Sequence, residues 1–236
     1  MKFEQTLQKG TLIKRYKRFL ADVELPSGEI VVAHCANSGS MLGCKEPGST
    51  VWLSPNTNPK AKLNWRWEML EVGGALVGIN TSRPNAIVEE AILQGGIPEL
   101  SGYASLKREV KYGAASRIDI LLEGPSSTSL AEKCYVEVKN VTLKVGEDAQ
   151  FPDSVTVRGT KHLRELMDMV AEGHRAVMVY LVQRGDCTVF APAADIDKVY
   201  AETLGEAAKA GVELLCYTCD LTTDGIKVAG TLPIRL

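Results

Sequence analysis

The sequence has no long apolar run. Its longest purely apolar stretch, Ala176 to Val182, falls well short of the roughly 20 residues that a membrane-crossing helix needs. The segment Met1 to Gly10 lacks the apolar centre of a secretion signal, so the chain is expected in the cytoplasm and not in a membrane. Neither sign of charge is in excess: 27 Lys and Arg stand against 29 Asp and Glu, a formal net charge of −2. No global positive field advertises a nucleic-acid partner, and any such contact must be a local patch. Cysteine is sparse. Cys35, Cys44, Cys134, Cys187, Cys216 and Cys219 are scattered over 236 residues, which suits reduced thiols rather than a disulfide framework. There is no low-complexity tract and no internal repeat, so what remains is an ordinary globular chain long enough to bury a large core.

What is present changes character near residue 80. Before it come strand-like segments: Thr11 to Tyr16, Phe19 to Leu25, Ile30 to His34, Thr50 to Ser54, Asn64 to Val72 and Ala75 to Ile79, with a turn at Pro26-Ser27-Gly28. Trp65, Trp67 and Met69 alternate with Arg66 and Glu68, the period-2 mark of a half-buried strand, and this favours core positions for both tryptophans. Short strands with tight turns in so small a length predict an OB-like β-barrel over residues 1–80. At Thr81-Ser82-Arg83-Pro84 the pattern turns helical. Ser82 is the expected cap, Ala86 to Gln94 the helix, and Gly95-Gly96 its stop. Strands follow at Leu106 to Tyr112, Arg117 to Leu122 and Tyr135 to Leu143, the last two joined through a polar loop, Gly124 to Lys133. Gly159 to Glu172 is the clearest helix, with Leu163, Leu166, Met167 and Val170 on one stripe. Arg175 to Val182 reads as a buried strand, Asp195 to Ala210 as a helix, and Val212 to Leu221 as a strand. Residues 81–236 thus predict a mixed sheet flanked by helices, in the order helix, three strands, helix, strand, with a helix and closing strands after.

Within those strands lie Asp119 and, on the next one, Glu137 and Lys139. Side chains alternate along a strand, so Glu137 and Lys139 share a face, and Asp119 is expected opposite Ile118 and Ile120. Charges inside apolar strands need compensation. A divalent cation between the carboxylates supplies it, and a lysine two residues on suits orienting the attacking water or offsetting transition-state charge. A solvated hairpin face with cross-strand pairs is the competing reading of the same residues. An Asp on one strand and Glu-x-Lys on its partner, within this element order, resemble the PD-(D/E)xK nuclease superfamily, although Ile118 replaces the proline of that name. The resemblance implies Asp119, Glu137 and the Val138 carbonyl as ligands of Mg²⁺ or Mn²⁺. It also implies Lys139 as the catalytic lysine and Glu89 or Glu90 as an accessory acid.

A second resemblance covers most of the chain. Gly10 to Val23 (GTLIKRYKRFLADV), His34 to Met41 (HCANSGSM), Glu137 to Leu143 (EVKNVTL), Phe151 to Thr156 (FPDSVT) and Arg158 to Leu163 (RGTKHL) are similar to the sugar fermentation stimulation protein A family. That family implies a bacterial or archaeal DNA-binding protein linked to regulation of sugar (maltose) metabolism, with an OB-like part followed by a nuclease-like part. Whether such proteins cut DNA stays open, so two functions are carried: a DNA-binding regulator, and a Mg²⁺- or Mn²⁺-dependent nuclease.

Lys14, Arg15, Tyr16, Lys17 and Arg18, followed by Phe19, mix phosphate-pairing charge with stackable rings and are expected to contact DNA, as is Lys161. The competing reading is a solvated barrel strand. His34 to Met41 reads as a turn making polar contacts to DNA or to the second part, since neighbouring His and Cys on a strand point apart. His162 is open between the metal site and the surface, and His174 has no evident partner. Cys216-x-x-Cys219 lies on a strand without a second pair, which weighs against zinc. Oligomeric state is left open, a homodimer included.

Overall fold

Leu12, Ala21, Val23, Val31 and Ala33 are all buried while their neighbours along the chain are not, and this alternation curls the first strands around one core. The computed structural model describes residues 1–113, 116–124 and 132–236. β1 (Gln8–Tyr16) pairs antiparallel with β2 (Leu20–Glu24) and with β4 (Thr50–Pro55); β2 pairs with β3 (Ile30–His34), and β4 with β5 (Trp65–Val72). A parallel pairing of β3 with β5 closes these five strands into the OB-type barrel, and β6 (Ala75–Gly78) extends it beside β5. Trp67 is fully buried and donates its ring N–H to the Met69 carbonyl, while half-buried Trp65 packs against the same core.

The rest of the chain builds a second sheet. α1 (Pro84–Leu93) leads into β7 (Ser105–Tyr112), β8 (Ser116–Glu123) and β9 (Lys133–Val141). Then follow β10 (Leu143–Val145), β11 (Asp148–Phe151), α2 (Val157–Ala171), β12 (Arg175–Val182) and β13 (Val189–Pro192). α3 (Lys198–Lys209), β14 (Glu213–Thr222) and β15 (Gly225–Thr231) complete it. The sheet order is β15-β14-β12-β9-β8-β7, parallel at its centre (β9, β12, β14) and antiparallel at both edges. β10, β11 and β13 form a small separate sheet. Central β12 is almost wholly buried because both faces are covered, as parallel strands require. α2 and α3 cover one face, over Leu163, Met178 and Tyr200; α1 covers the other, over Ile87, Val136 and Val179.

Several expectations are corrected. Ser82 does not cap α1: its hydroxyl donates to Asn80 Oδ1 (2.6 Å), and Arg83 holds the cap position without a side-chain cap bond. The reason is tertiary. Arg83 is drawn to buried Glu68 on β5, with N–O distances of 3.0 and 2.5 Å, and the helix starts where that pair places it. The expected strand Tyr135 to Leu143 is interrupted at Thr142, whose carbonyl accepts from Arg184 (2.8 Å). Of the loop Gly124 to Lys133, residues 125–131 lie outside the described residues. The third helix starts at Lys198, after Asp197 accepts the Tyr200 N–H (3.0 Å). All six cysteines are buried free thiols; Cys216 and Cys219 pack into cores on opposite faces of the sheet, which excludes a shared zinc.

Candidate functional site

A cleft of about 500 Å³ opens where the barrel meets the second sheet. Asn37, Ser38 and Gly39 from the barrel line one side, Pro84 and Asn85 of α1 another, and the segment from Pro152 to Arg158 a third. Asp119, Glu137, Lys139 and His162 all line the same cavity.

The sheet is irregular where it carries these groups. Regular pairing between β8 and β9 ends at Ile120↔Val136, and beyond it the Val138 N–H donates to Asp119 Oδ2 (2.8 Å). Asn85 Nδ2 donates to Asp119 Oδ1 (2.8 Å). Ile118 packs into the α2-side core and Ile120 into the α1-side core, so they do not lie together opposite Asp119 as simple alternation predicts. β7 is distorted at the same level: Glu109, between the Arg108↔Ile120 and Val110↔Ile118 pairs, has φ of 54°. β9 stays regular. Glu137 and Lys139 pair with Met178 and Tyr180 of β12, both members of the α2-side core.

Glu137 is 2% exposed, and Lys139 Nζ donates to its Oε1 (2.6 Å). His162 Nδ1 contacts the same oxygen, and Lys139 Nζ lies 3.1 Å from that nitrogen. Oε2 of Glu137 is buried and has no hydrogen-bond partner among the described residues. Burial raises the Asp119 pKa, and the Glu137 charge adds to this; the Val138 amide, Lys139 and Asn85 oppose it. Burial also pushes Glu137 upward, yet Lys139 and His162 outweigh it and hold that carboxyl below its ordinary value. One lysine therefore faces one buried and one half-buried carboxylate, and the buried one, Glu137, retains an oxygen unpaired among the described residues. An oxygen-binding cation fits this donor set: Asp119, Glu137 and the backbone oxygen of Val138, with water completing the shell. Among the described residues no group of three or more His, Cys, Asp or Glu side chains gathers as a metal cluster, so an all-side-chain cage is not what this cleft offers.

Other expected site residues are placed elsewhere. Glu89 pairs with Arg108 (3.3 Å) and Glu90 with the N-terminal amine; neither lines the cleft. α1 presents its first turn to Asp119 and not its middle, so the neutral amide of Asn85 stands where an accessory acid was expected. The run Lys14 to Arg18 is not one patch. Lys14 pairs with Asp22 (3.4 Å), and Tyr16 donates to the same carboxylate (2.8 Å). Arg15 donates to the carbonyls of Asn37 (2.9 Å) and Gly39 (3.1 Å), spending its charge on the cleft loop. Lys17 and Arg18 occupy the β1–β2 turn with φ of 47° and 65°, and of the five only Arg18 lines the cleft. Lys161 points outward to Ser116 (3.0 Å) and Glu165 (3.4 Å), whereas its neighbour His162 is buried against Glu137. The turn His34 to Met41 does contact the second part: Ser40 Oγ donates to the Asp153 carbonyl and the Met41 N–H to Asp153 Oδ2 (2.7 Å). His174 packs on the Tyr135 ring, centroids 5.5 Å apart. Asn85, Asp153 and Arg158 were given no site role from the sequence, although Asp153 and Arg158 lie in the FPDSVT and RGTKHL segments that carry the family resemblance; each is recruited by a partner distant in the chain or one turn away.

Two family models match the chain: the "SfsA N-terminal OB domain" over residues 13–79, and the "Sugar fermentation stimulation protein RE domain" over residues 82–225. The chain belongs to the sugar fermentation stimulation protein family. A sugar fermentation stimulation protein homolog of Paramagnetospirillum magneticum is 59% identical over 236 residues, covering 100% of this chain and 98% of that protein. One from Rhodospirillum centenum is 58% identical over 233 residues, covering 98% of each. The solved structure of Pyrococcus furiosus SfsA in complex with Ca²⁺ superimposes with a TM-score of 0.90 at 29% identity, covering 100% of this chain and 98% of that one. Among the described residues of this family member, no helix is long and apolar enough to cross a membrane.

Proposed function

We propose that the protein binds DNA in the cleft between barrel and sheet, and that Asp119 and Glu137, with the Val138 carbonyl, hold a divalent cation at its floor. The observation that carries this is the unpartnered, buried Oε2 of Glu137 beside a second carboxylate that burial has already raised. A buried carboxylate oxygen without a donor is costly, and a cation removes that cost. The Ca²⁺ complex of the Pyrococcus furiosus relative supports a divalent ion, and the all-oxygen donor set suits Mg²⁺ or Mn²⁺ as the working metal. Arg18 on the barrel and Arg158 on α2 put positive charge on the cleft lining, where a phosphate backbone would meet it. The setting is a cytoplasmic one, in which DNA and reduced thiols coexist, and the regulatory role in sugar (maltose) metabolism implied by the family belongs to this reading.

Hydrolysis of a DNA phosphodiester is the second reading, and Lys139 favours it. Its ammonium is held on Glu137 at the cleft floor, placed to hydrogen-bond a water or a non-bridging phosphate oxygen. Attack of that water on phosphorus breaks one P–O bond, and the leaving oxygen departs with a proton. A bound Mg²⁺ or Mn²⁺ would supply positive charge for the phosphate oxygens and lower the pKa of the water. Incubating the protein with labelled single- and double-stranded DNA in Mg²⁺, Mn²⁺ or EDTA tests both readings. Metal-dependent product selects hydrolysis, EDTA-insensitive binding without product selects binding alone, and no binding in any condition overturns the proposal.

A further inference from the structure

His162 is buried, in a cleft otherwise open to solvent, and both of its ring nitrogens are engaged. Arg158 Nε lies 3.3 Å from His162 Nε2, one helical turn apart on α2. A guanidinium can only donate, so Nε2 must present its lone pair. The ring proton then sits on Nδ1, the nitrogen that faces Glu137 Oε1. This assignment also explains the approach of Lys139 Nζ to Nδ1 at 3.1 Å. The two groups do not bond to each other; both donate to the same carboxylate oxygen, and sharing an acceptor brings them together. Among the described residues Oε1 thus has two donors and Oε2 has none.

We infer that His162, held in its Nδ1–H form by Arg158, is a positioning residue: it anchors Glu137 through Oε1 so that Oε2 stays free for a divalent cation. This rests on the reading of the cleft as a cation site. Without the anchor, the Glu137 carboxylate is free to turn and give both oxygens to Lys139, closing the position a metal would take. Donors behind a ligating carboxylate commonly set affinity by about 10–100-fold, so His162 should matter without touching metal or DNA.

Two variants separate the role from simple packing. His162→Asn keeps a donor near the place of Nδ1, and His162→Gln moves it to the place of Nε2. Titration calorimetry with Mn²⁺ should show His162→Asn within about threefold of the unaltered protein and His162→Gln weaker by about tenfold. Melting temperatures measured without metal should be equal for the two variants. In the metal-free unaltered protein, long-range ¹H–¹⁵N spectra should show a single Nδ1–H tautomer, and Arg158→Leu should turn it into a mixture. An Nε2–H tautomer, or equal Mn²⁺ affinities for the two variants, overturns the inference while leaving the cation site standing. An unaltered protein that takes up no Mn²⁺ overturns the cation reading, and this role with it.

Discussion

Asp153, next to the small β10-β11-β13 sheet, accepts the Met41 backbone N–H of the barrel loop at 2.7 Å and so ties the barrel to the second sheet at the edge of the cleft. The same loop is held from behind by Arg15, and Asn37 Nδ2 donates to the Ile79 carbonyl (3.0 Å). Gly39 is what lets the carboxylate approach: a Cβ there would stand 2.7 Å from both Asp153 oxygens. Gly39→Ala should therefore destabilise the protein by about 1–3 kcal/mol, as overpacking does, and weaken DNA binding by displacing the loop. Urea denaturation and an anisotropy titration check the two effects. Unchanged values in both would show that the loop does not depend on this contact.

A second junction lies at the start of α1. Glu68 is 1% exposed and receives hydrogen bonds from Ser54, Asn80 and Arg83. Removing the cation leaves a buried charge with neutral donors only, so Arg83→Met should cost about 3–5 kcal/mol in urea denaturation. Adding Glu68→Gln should recover part of the loss, because the uncompensated charge is gone. A double variant no more stable than Arg83→Met would assign the effect to the start of α1 instead.

The two junctions explain which features were legible in the sequence. Glu137 and Lys139 could be read from period-2 spacing because β9 is regular there. Asp119 was visible as a residue, but its geometry was not: the distortion that splits Ile118 from Ile120 involves the neighbouring strand at Glu109. Arg83 outcompeted a locally plausible Ser82 cap because its partner Glu68 lies on β5, well before it in the chain. The basic run looked like one surface because charges adjacent in sequence are dispersed by a strand and a tight turn; Arg15 faces the loop and Arg18 the cleft. Asp153 lies in the FPDSVT segment of the family resemblance, but its role was not legible there, since its partner lies 112 residues away in the chain.

That dispersal makes a specific prediction for DNA. Arg18→Ala should weaken binding and lower the salt slope by about one counterion, whereas Lys14→Ala should leave both nearly unchanged. Lys14 is already paired with Asp22, outside the cleft. Fluorescence anisotropy across a salt series reads both quantities. Equal losses for the two variants would move the DNA surface onto the outer barrel wall.

Acid stability has an identifiable contributor. Hydrogen bonding and charge from Arg184, helped by Lys144, hold the Asp186 carboxyl at about 2, below its ordinary 3.8. A depressed carboxylate stabilises the fold fully above the unfolded value, and the contribution is lost as pH falls through the folded one. Asp186→Asn should therefore be less stable than the unaltered protein at neutral pH, and the difference should shrink between about pH 4 and pH 2. A gap that persists unchanged to pH 2 would show that Arg184 is not held through this charge.

The cation site itself is tested most directly by thermal melts with and without Mn²⁺, on the unaltered protein and on Asp119→Asn. A metal that binds the folded state raises its melting temperature by mass action. Asp119→Asn keeps the side-chain shape and removes one of the two carboxylate charges that would attract the ion. A concentration-dependent rise in melting temperature is expected for the unaltered protein, and little or none for Asp119→Asn. Identical melts at all Mn²⁺ concentrations into the millimolar range, for both proteins, would contradict it.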